Sequence, residues 1–366
     1  MNKGTDFVNV VITGDGNYLI PIGVLMTSIL ENTETPERFR FFVFTTDFST
    51  DQWGKIETIA RKYCCQTIQV PMKEYEYLFE KIDVSKFALD YVNIVVYHRL
   101  LILKILPDDV RKSFYVDGDM IVETDLAELY DEFPINKLAA VVVEPLAMQN
   151  YEKTLSHLNL IDDFRPFRTE RYQAPYFNAG FFLLNIELSK QYKLFEKAFD
   201  FLARYPNPPY ADQDTLNAVI GQAYRKELVY LNPEFNVFCN IHYESKYDRA
   251  YYSEDLIRKS FQHPRVFHYA GSNKPWINRE CLNHYDKWWE YCRKSIFSSL
   301  VEPPKPPKLR YSFLLFGFLP CVKFSYYKKK HKLRERIALF GLFPILQLDS
   351  VYGEIVSRKF LWLIKI

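Results

Sequence analysis

Between Val8 and Val70 the chain alternates short apolar runs with helix-like stretches, and this order constrains the fold more than any other feature. Val8–Thr13 (VNVVIT) has strand length and breaks at the turn signal Gly14-Asp15-Gly16-Asn17. Apolar residues at Ile22, Leu25, Met26, Ile29 and Leu30 then follow a helical period. Phe39–Thr45 (FRFFVFT) reads as a second buried strand, Asp51–Tyr63 as a polar helix and Gln66–Val70 as a third strand. Strand, helix, strand, helix, strand at this spacing predicts an α/β fold, a parallel sheet with helices on its faces.

The pattern continues along the chain. A helix is predicted around Val96–Leu106, and Ser113–Val116 (SFYV) is a strand that runs straight into Asp117. Ala139–Val143 and Gly180–Asn185 (GFFLLN) are further strands, while Leu188–Tyr205 and Gln213–Gly221 read as helices. Val229–Leu231 and Val266–Tyr269 are short late strands. The stretches 145–175 and 241–262 have weak periodicity and read as loop-rich insertions. With 366 residues, 48% of them hydrophobic, the chain has ample material for a large core and is no disordered segment.

Six cysteines (Cys64, Cys65, Cys239, Cys281, Cys292, Cys321) show no CxxC or Cys/His metal spacing. Adjacent Cys64 and Cys65 suit neither zinc nor an ordinary disulfide. The N-terminal stretch lacks a charged segment followed by a long apolar one, and no run reaches the roughly 18 apolar residues that span a bilayer. A reducing cytoplasm is the expected compartment.

The formal charge of +2 hides an asymmetry. From residue 301 onward there are 13 Lys+Arg against 4 Asp+Glu, so the remainder of the chain is net acidic. The change follows Pro303-Pro304-Lys305-Pro306-Pro307, a linker composition. Residues 1–300 are thus expected to form the main domain, 301–309 a linker, and 310–366 a separate basic, apolar region. Within that region Phe316-Gly317-Phe318-Leu319-Pro320 recurs 24 residues later as Phe340-Gly341-Leu342-Phe343-Pro344. Apolar runs alternating with basic clusters suit a segment lying on an anionic membrane surface, with the protein peripheral on the inner face of the cytoplasmic membrane. The alternative is a helical extension packed on the body or on another subunit. No nucleic-acid partner is expected.

Asp117 and Asp119, separated by Gly118 at the end of an apolar strand, are a candidate divalent-cation site. In open α/β sheets the ligand crevice lies beyond the carboxyl ends of the strands, where this pair falls. A lone Asp-x-Asp is more often a solvated turn, so its company matters. Asn178-Ala179-Gly180 stands at a strand start, Asp212-Gln213-Asp214 at a helix start, and Phe267–Trp276 (FHYAGSNKPW) follows His268 with a Gly-x-x-Lys loop. Backbone N–H groups and an ammonium in such a loop suit a diphosphate.

Over roughly residues 7–292 the sequence resembles glycosyltransferase family 8, which includes bacterial lipopolysaccharide α-galactosyl- and α-glucosyltransferases and the glycogenin-like enzymes. VDGDMIV is similar to the family's DxD strand, FNAGFFLLN to its NAG motif, ADQDTLN to its DQD motif and HYAGSNKPW to its H-x-x-G-x-x-K-P-W motif, in the family's order. The resemblance implies a GT-A fold, a Rossmann-like, mostly parallel central sheet flanked by helices. It also implies a retaining hexosyltransferase that takes galactose or glucose from a UDP-sugar to a glycan or lipid-linked acceptor such as lipopolysaccharide.

Roles for matched positions follow from the same resemblance. Asp117, Asp119 and His268 would be the metal ligands. A nitrogen beside two carboxylates shifts preference from Mg²⁺ toward Mn²⁺. Val11–Tyr18 (VITGDGNY) would bind the nucleotide, with Thr13, Asp15, Asn17 and Tyr18 lining the site beside Gly118. In that group Asp15 would accept from the uracil imide. Gly271 and Lys274 would hold the diphosphate, and Lys274 would have a catalytic role in stabilising charge on the UDP leaving group. Arg99, from Tyr97-His98-Arg99-Leu100, would contact donor sugar or phosphate, and Asn178, Ala179, Asp212 and Gln213 the donor sugar. Gln213, an amide, is a poor nucleophile, so same-face attack is expected, with Asp212 the carboxylate to test as a nucleophile. After the strand Ala139–Val143 the family often has an Asp that contacts sugar hydroxyls; here Glu144, the matching candidate for a donor-sugar contact, stands one residue further on, which leaves the hexose preference open.

Three other readings compete: a catalytically silent UDP-sugar-binding protein, a glycogenin-like self-glucosylating protein, and a metal-dependent phosphohydrolase. The last lacks the further His/Asp ligands that such enzymes use.

Overall fold

The computed structural model describes residues 6–79, 94–144, 175–205, 208, 210–240, 252–277 and 283–301, together with five strands within 309–360. The chain forms two compact units. The first comprises Met1–Phe238, His242–His268 and Tyr291–Ser299; the second comprises Cys239–Ile241, Tyr269–Glu290 and Leu300–Ile366.

The elements run β1 (Val8–Gly14), α1 (Leu19–Glu31), β2 (Phe39–Thr45), α2 (Thr50–Tyr63), β3 (Gln66–Pro71), α3 (Ile102–Ile105) and β4 (Lys112–Val116). They continue with β5 (Met120–Val122), α4 (Leu126–Glu132), β6 (Ala139–Val143), β7 (Phe177–Asn185), α5 (Ile186–Gln191), α6 (Leu194–Arg204) and α7 (Ala211–Leu216). Then come β8 (Leu228–Leu231), β9 (Val237–Phe238), α8 (Glu254–Gln262), β10 (Val266–His268) and α9 (Tyr285–Lys294).

Seven strands form the main sheet of the first unit in the order β3-β2-β1-β4-β7-β6-β8. The first four are mutually parallel, β7 is antiparallel to both β4 and β6, and β8 is parallel to β6. Every residue of β1 and β2 is buried. Their side chains alternate between two apolar layers: Val11, Phe42 and Phe44 on one side, Val10, Ile12, Phe41 and Val43 on the other. A sheet covered on both faces needs continuous apolar strands, which is why these runs carry no polar alternation. Truncating Phe42, fully enclosed, to Ala should destabilise the unit by about 3–5 kcal/mol.

Local chemistry sets several boundaries. A capping box between Ser49 and Gln52 starts α2, and Cys64 ends it in a left-handed conformation (φ 56°). The adjacent cysteines therefore mark a helix end. The single helix predicted over Leu188–Tyr205 is two, because Lys193 takes φ 53° between α5 and α6. The predicted helix around Val96–Leu106 is mostly a 3-10 segment (Ile94–Leu101) followed by one α-helical turn. The stretch 241–262, expected to be loop, contains α8, whose N-cap Ser253 accepts from Leu256 N. Its apolar residues, Leu256, Ile257 and Phe261, are too few to show a clear period. Residues 145–174 and the proline-rich 302–308 lie outside the described residues.

A second, three-stranded sheet, β5-β10-β9, completes the first unit. The second unit contains a five-stranded antiparallel meander: β11 (Leu309–Leu315), β12 (Leu319–Lys329), β13 (Lys332–Leu339), β14 (Phe343–Val351) and β15 (Glu354–Phe360). The described residues of the region 310–366 are thus strands, where a helical extension was one expectation. No helix among the described residues is long and apolar enough to cross a membrane.

Candidate active site

The strand β4 ends at Val116 and the chain turns through Asp117-Gly118-Asp119 into β5. Met120 of β5 pairs with His268 of β10, and this register brings the imidazole beside the two carboxylates. His268 Nε2 lies 3.5 Å from Asp119 Oδ1 and 3.9 Å from Asp117 Oδ2. These separations are too long for hydrogen bonds. Ligand bonds of about 2.1 Å would put neighbouring donor atoms of an octahedron about 3 Å apart and opposite ones about 4.2 Å apart. The two His268 spacings fall between those limits, and all three donor atoms lie within 4.8 Å of one another. The residues fit a divalent cation.

The ring is held in the orientation that such a site needs. Asn236 donates through Nδ2 to Asn178 Oδ1 (2.8 Å), which leaves its Oδ1 facing His268 Nδ1 at 2.9 Å. Nδ1 is therefore the protonated nitrogen, and the lone pair of Nε2 faces Asp117 and Asp119. Phe238 packs edge-on against the ring at 4.9 Å.

Gly180 keeps the floor of this cluster open. A Cβ there would come within 2.6 Å of Asp117 Oδ2 and 2.9 Å of His268 Cε1. The backbone around it is also engaged: Asp117 N donates to Gly180 O at 2.8 Å. Asn178-Ala179-Gly180 follows the first residue of β7, at the strand start as the sequence suggested, and the register with β6 shifts there between Val141 and Val142. This bulge turns main-chain groups toward the site.

Arg99 links the cation cluster to a second group of polar side chains. Its Nη2 is 3.1 Å from Asp117 Oδ1 and its Nε is 2.8 Å from Asp212 Oδ2. Nη1 donates to Ala179 O at 2.6 Å, and the guanidinium carbon stands 4.5 Å from the centre of the Tyr115 ring. Burial opposes the Arg99 charge, but Asp117 and Asp212 outweigh it and hold the guanidinium firmly protonated. Burial pushes the Asp212 carboxyl up to about 7; Arg99 works against that rise and the charge of Asp117 adds to it. Tyr115 donates to Asp117 Oδ1 (2.8 Å), so Thr13 is the donor in its 2.9 Å bond to the Tyr115 hydroxyl.

Beyond Arg99, Asn178 Nδ2 donates to Glu144 Oε2 (2.7 Å) and to Gln213 Oε1 (2.9 Å). Ala179 N also donates to Gln213 Oε1 (3.0 Å). With its oxygen held twice, Gln213 keeps its amide nitrogen as the donor end. Asp214 is structural by comparison. It accepts from Tyr176 OH (2.5 Å) and Tyr210 N (2.7 Å), and burial pushes its carboxyl up to about 6.

Gly14–Tyr18 borders the same cluster. Asp15 Oδ1 accepts from Asn17 N (2.9 Å) and caps a 3-10 turn, while Gly16 N donates to Asp47 Oδ1 (2.6 Å). The ring of Tyr18 lies over Gly118, where a Cβ would meet Tyr18 Cδ1 at 3.1 Å and Ile22 Cγ1 at 3.2 Å. A side chain at 118 would need Tyr18 or Ile22 to give way by a few tenths of an ångström. Burial, then Asp119 and Asp117, raise the Tyr18 phenol well above its ordinary range.

Gly271 and Lys274 belong to the second unit. Gly271 takes φ +78°, a left-handed conformation that favours glycine. Lys274 is buried and its Nζ donates to Tyr269 O (2.8 Å), folding the loop back on itself.

The structure thus brings together Asp117, Asp119, His268, Arg99, Asn178, Ala179, Asp212, Gln213 and Glu144, with Thr13 and Tyr18 alongside. The sequence reading missed Tyr115 and Asn236. Tyr115 was accessible, since strand alternation places it on the same side as Asp117. Asn236 gave no signal, because its partners are remote in sequence.

Two carboxylates and an imidazole lie at the carboxyl edge of a mostly parallel sheet, beside an Arg–amide–carboxylate array, and the fold is the GT-A fold of solved glycosyltransferases. Residues 9–280 match the family model Glycosyl transferase family 8, and the chain belongs to that family. It is 27% identical to the lipopolysaccharide 1,3-galactosyltransferase of Salmonella typhimurium over 325 residues, 85% of this chain and 86% of that one. It is 26% identical to the lipopolysaccharide 1,2-glucosyltransferase of Escherichia coli over 273 residues, 74% of this chain and 73% of the other. The solved structure of galactosyltransferase LgtC in complex with donor and acceptor sugar analogs superposes with a TM-score of 0.60 at 21% identity, covering 81% of this chain and 98% of LgtC.

Proposed function

We propose that the protein moves a hexose, galactose or glucose, from a UDP-sugar to a glycan or lipid-linked acceptor such as lipopolysaccharide or lipooligosaccharide, with retention to give an α-linkage. The reading is carried by the three-donor cluster of Asp117, Asp119 and His268, joined through Arg99 to Asp212, Gln213 and Asn178. In this role Asp117, Asp119 and His268 hold Mn²⁺, with Mg²⁺ as a weaker substitute, because the donor set is one nitrogen and two carboxylates. When bound, the ion supplies Lewis-acid neutralisation of charge on the departing diphosphate.

The chain's own residues do the rest. Thr13, Asp15, Asn17, Tyr18 and Gly118 bind the nucleotide, Asp15 accepting from the uracil imide. Gly271 and Lys274 bind the diphosphate, with the Lys274 ammonium countering leaving-group charge. Arg99, Asn178, Ala179, Asp212, Gln213 and Glu144 orient the donor hexose. The bond from the anomeric carbon to the UDP oxygen breaks, and the acceptor oxygen bonds to that carbon on the same face. The leaving phosphate takes the acceptor proton. Gln213 acts by hydrogen bonding, since its oxygen is already held by Asn178 and Ala179. Asp212, pinned by Arg99 at 2.8 Å, is the less favoured nucleophile.

Residues 1–300 form the catalytic domain in this reading, 301–309 the linker and 310–366 a region that associates with an anionic membrane surface. The enzyme then works in the cytoplasm at the inner face of the cytoplasmic membrane. A panel of UDP-hexoses incubated with the protein and Mn²⁺ tests the donor assignment. UDP release from UDP-galactose or UDP-glucose supports it, and no release from any donor would leave a silent binding protein. Intact mass after incubation with UDP-glucose separates transfer to an external acceptor from self-glucosylation.

A further inference from the structure

The strands of the second unit carry the 24-residue near-repeat in register. Across β11 and β12, Leu315 pairs with Leu319 and Leu314 with Pro320. Across β13 and β14, Leu339 pairs with Phe343 and Ala338 with Pro344, each position 24 residues further on. The register shifts also correspond, falling between Phe313 and Leu314 and between Ile337 and Ala338. The same hairpin register thus occurs twice, and β12 pairs with β13 to join the two hairpins into one sheet.

Strand alternation then sorts the residues onto two faces. Tyr311, Phe324, Ile337, Leu346 and Phe360 are successive cross-strand partners, so one apolar row crosses all five strands. The next row, on the opposite face, is Arg310, Ser325, Arg336, Gln347 and Lys359, a cation on every second strand. Lys323, Lys329, Lys332 and Arg334 share that face, giving it seven cations against Asp349 and Glu354. Lys329 and Lys332 are direct register partners, so two cationic positions face each other at that end of the sheet.

We propose that this basic face docks on an anionic phospholipid bilayer by contact with the lipid phosphates, and that the apolar face takes no part in holding the lipid. The inference rests on the membrane reading above and specifies its surface. A bilayer meets only one face of a sheet. A face with this excess of cations does not pack into an apolar interior, because unpaired charge is excluded from such surroundings. The apolar row is what a sheet presents to a protein core. Charge complementarity with an anionic leaflet selects the other face.

The experiment uses the full-length protein and co-sedimentation with two kinds of vesicle: phosphatidylcholine alone, and phosphatidylcholine with phosphatidylglycerol. The proposal expects binding only to the second, weakening steeply as salt is raised, since the contact is electrostatic. The variant carrying Lys329→Gln, Lys332→Gln, Arg334→Gln and Arg336→Gln should bind at least about tenfold more weakly, with UDP-sugar hydrolysis intact as evidence of folding. Equal, salt-resistant binding to both vesicles would overturn the proposal in favour of apolar insertion. Unchanged anionic-vesicle binding by the folded variant would overturn the face assignment while the membrane reading stood. No binding by the unaltered protein to either vesicle would overturn both.

Discussion

Asn236 Oδ1 lies 2.9 Å from His268 Nδ1, and through this single bond a buried amide decides which ring nitrogen faces Asp117 and Asp119. The same amide donates to Asn178 Oδ1, so the candidate cation cluster and the candidate sugar-contacting amides share one support. Outer partners of metal-bound histidines commonly govern affinity about 10–100-fold. Asn236→Ala should therefore weaken Mn²⁺ binding by that order, read by calorimetry on the folded protein. Unchanged affinity would mean that His268 is oriented by other contacts.

Gly180→Ala addresses the floor of the cluster. The new methyl would enter the space between Asp117 Oδ2 and His268 Cε1, at 2.6 and 2.9 Å from them. Loss of Mn²⁺ binding by more than about tenfold is expected, because ligand geometry tolerates only small displacement. Circular dichroism should show the secondary structure retained. A variant that binds Mn²⁺ normally would place the ion elsewhere.

Arg99 is enclosed with Asp117 and Asp212 as partners. Removing one member of a buried ion pair typically costs about 3–5 kcal/mol. Arg99→Met should therefore lower stability by that order in urea denaturation. Arg99→Lys should restore little, since an ammonium lacks the planar fork that serves both carboxylates and Ala179 O. Equal stability of the lysine variant and the unaltered protein would contradict this account.

Asp214 supplies a pH prediction. Burial holds its carboxyl up at about 6 in the folded protein, above the ordinary value of 3.8. Between those values the folded chain keeps a proton that the unfolded chain has lost. The stability contributed by this group is thus greatest below the unfolded value and falls as pH rises through that window. Asp214→Asn removes the titration. Denaturation at several pH values should show the unaltered protein losing stability relative to the variant between about pH 4 and 6. A constant difference would show that Asp214 does not titrate there.

The central sheet was legible because its inner strands are enclosed on both faces, so burial alone writes Val8–Thr13 and Phe39–Thr45 as unbroken apolar runs. Asp117 and Asp119 could be placed because they end one of those strands. Their meeting with His268 could not be read from periodicity, since it depends on a three-residue antiparallel pairing between β5 and β10. The resemblance to family motifs supplied that candidate ligand. Asn236 escaped both routes, because a buried amide reveals its task only through its partners in space. The breaks at Lys193 and Cys64 are left-handed positions occupied by residues other than glycine, and nothing in their side chains announces them. The split faces of the C-terminal sheet were hidden for another reason: register shifts interrupt the alternation along single strands.

The central claim is that Asp117, Asp119 and His268 form one cation site on which sugar transfer from UDP depends. Its most direct test is UDP release from UDP-galactose and UDP-glucose, with and without Mn²⁺, by the unaltered protein and by Asp119→Asn. The account predicts Mn²⁺-dependent release that chelation abolishes and that the folded Asp119→Asn variant lacks. Equal release by that variant in Mn²⁺, or full release in chelator, would contradict it.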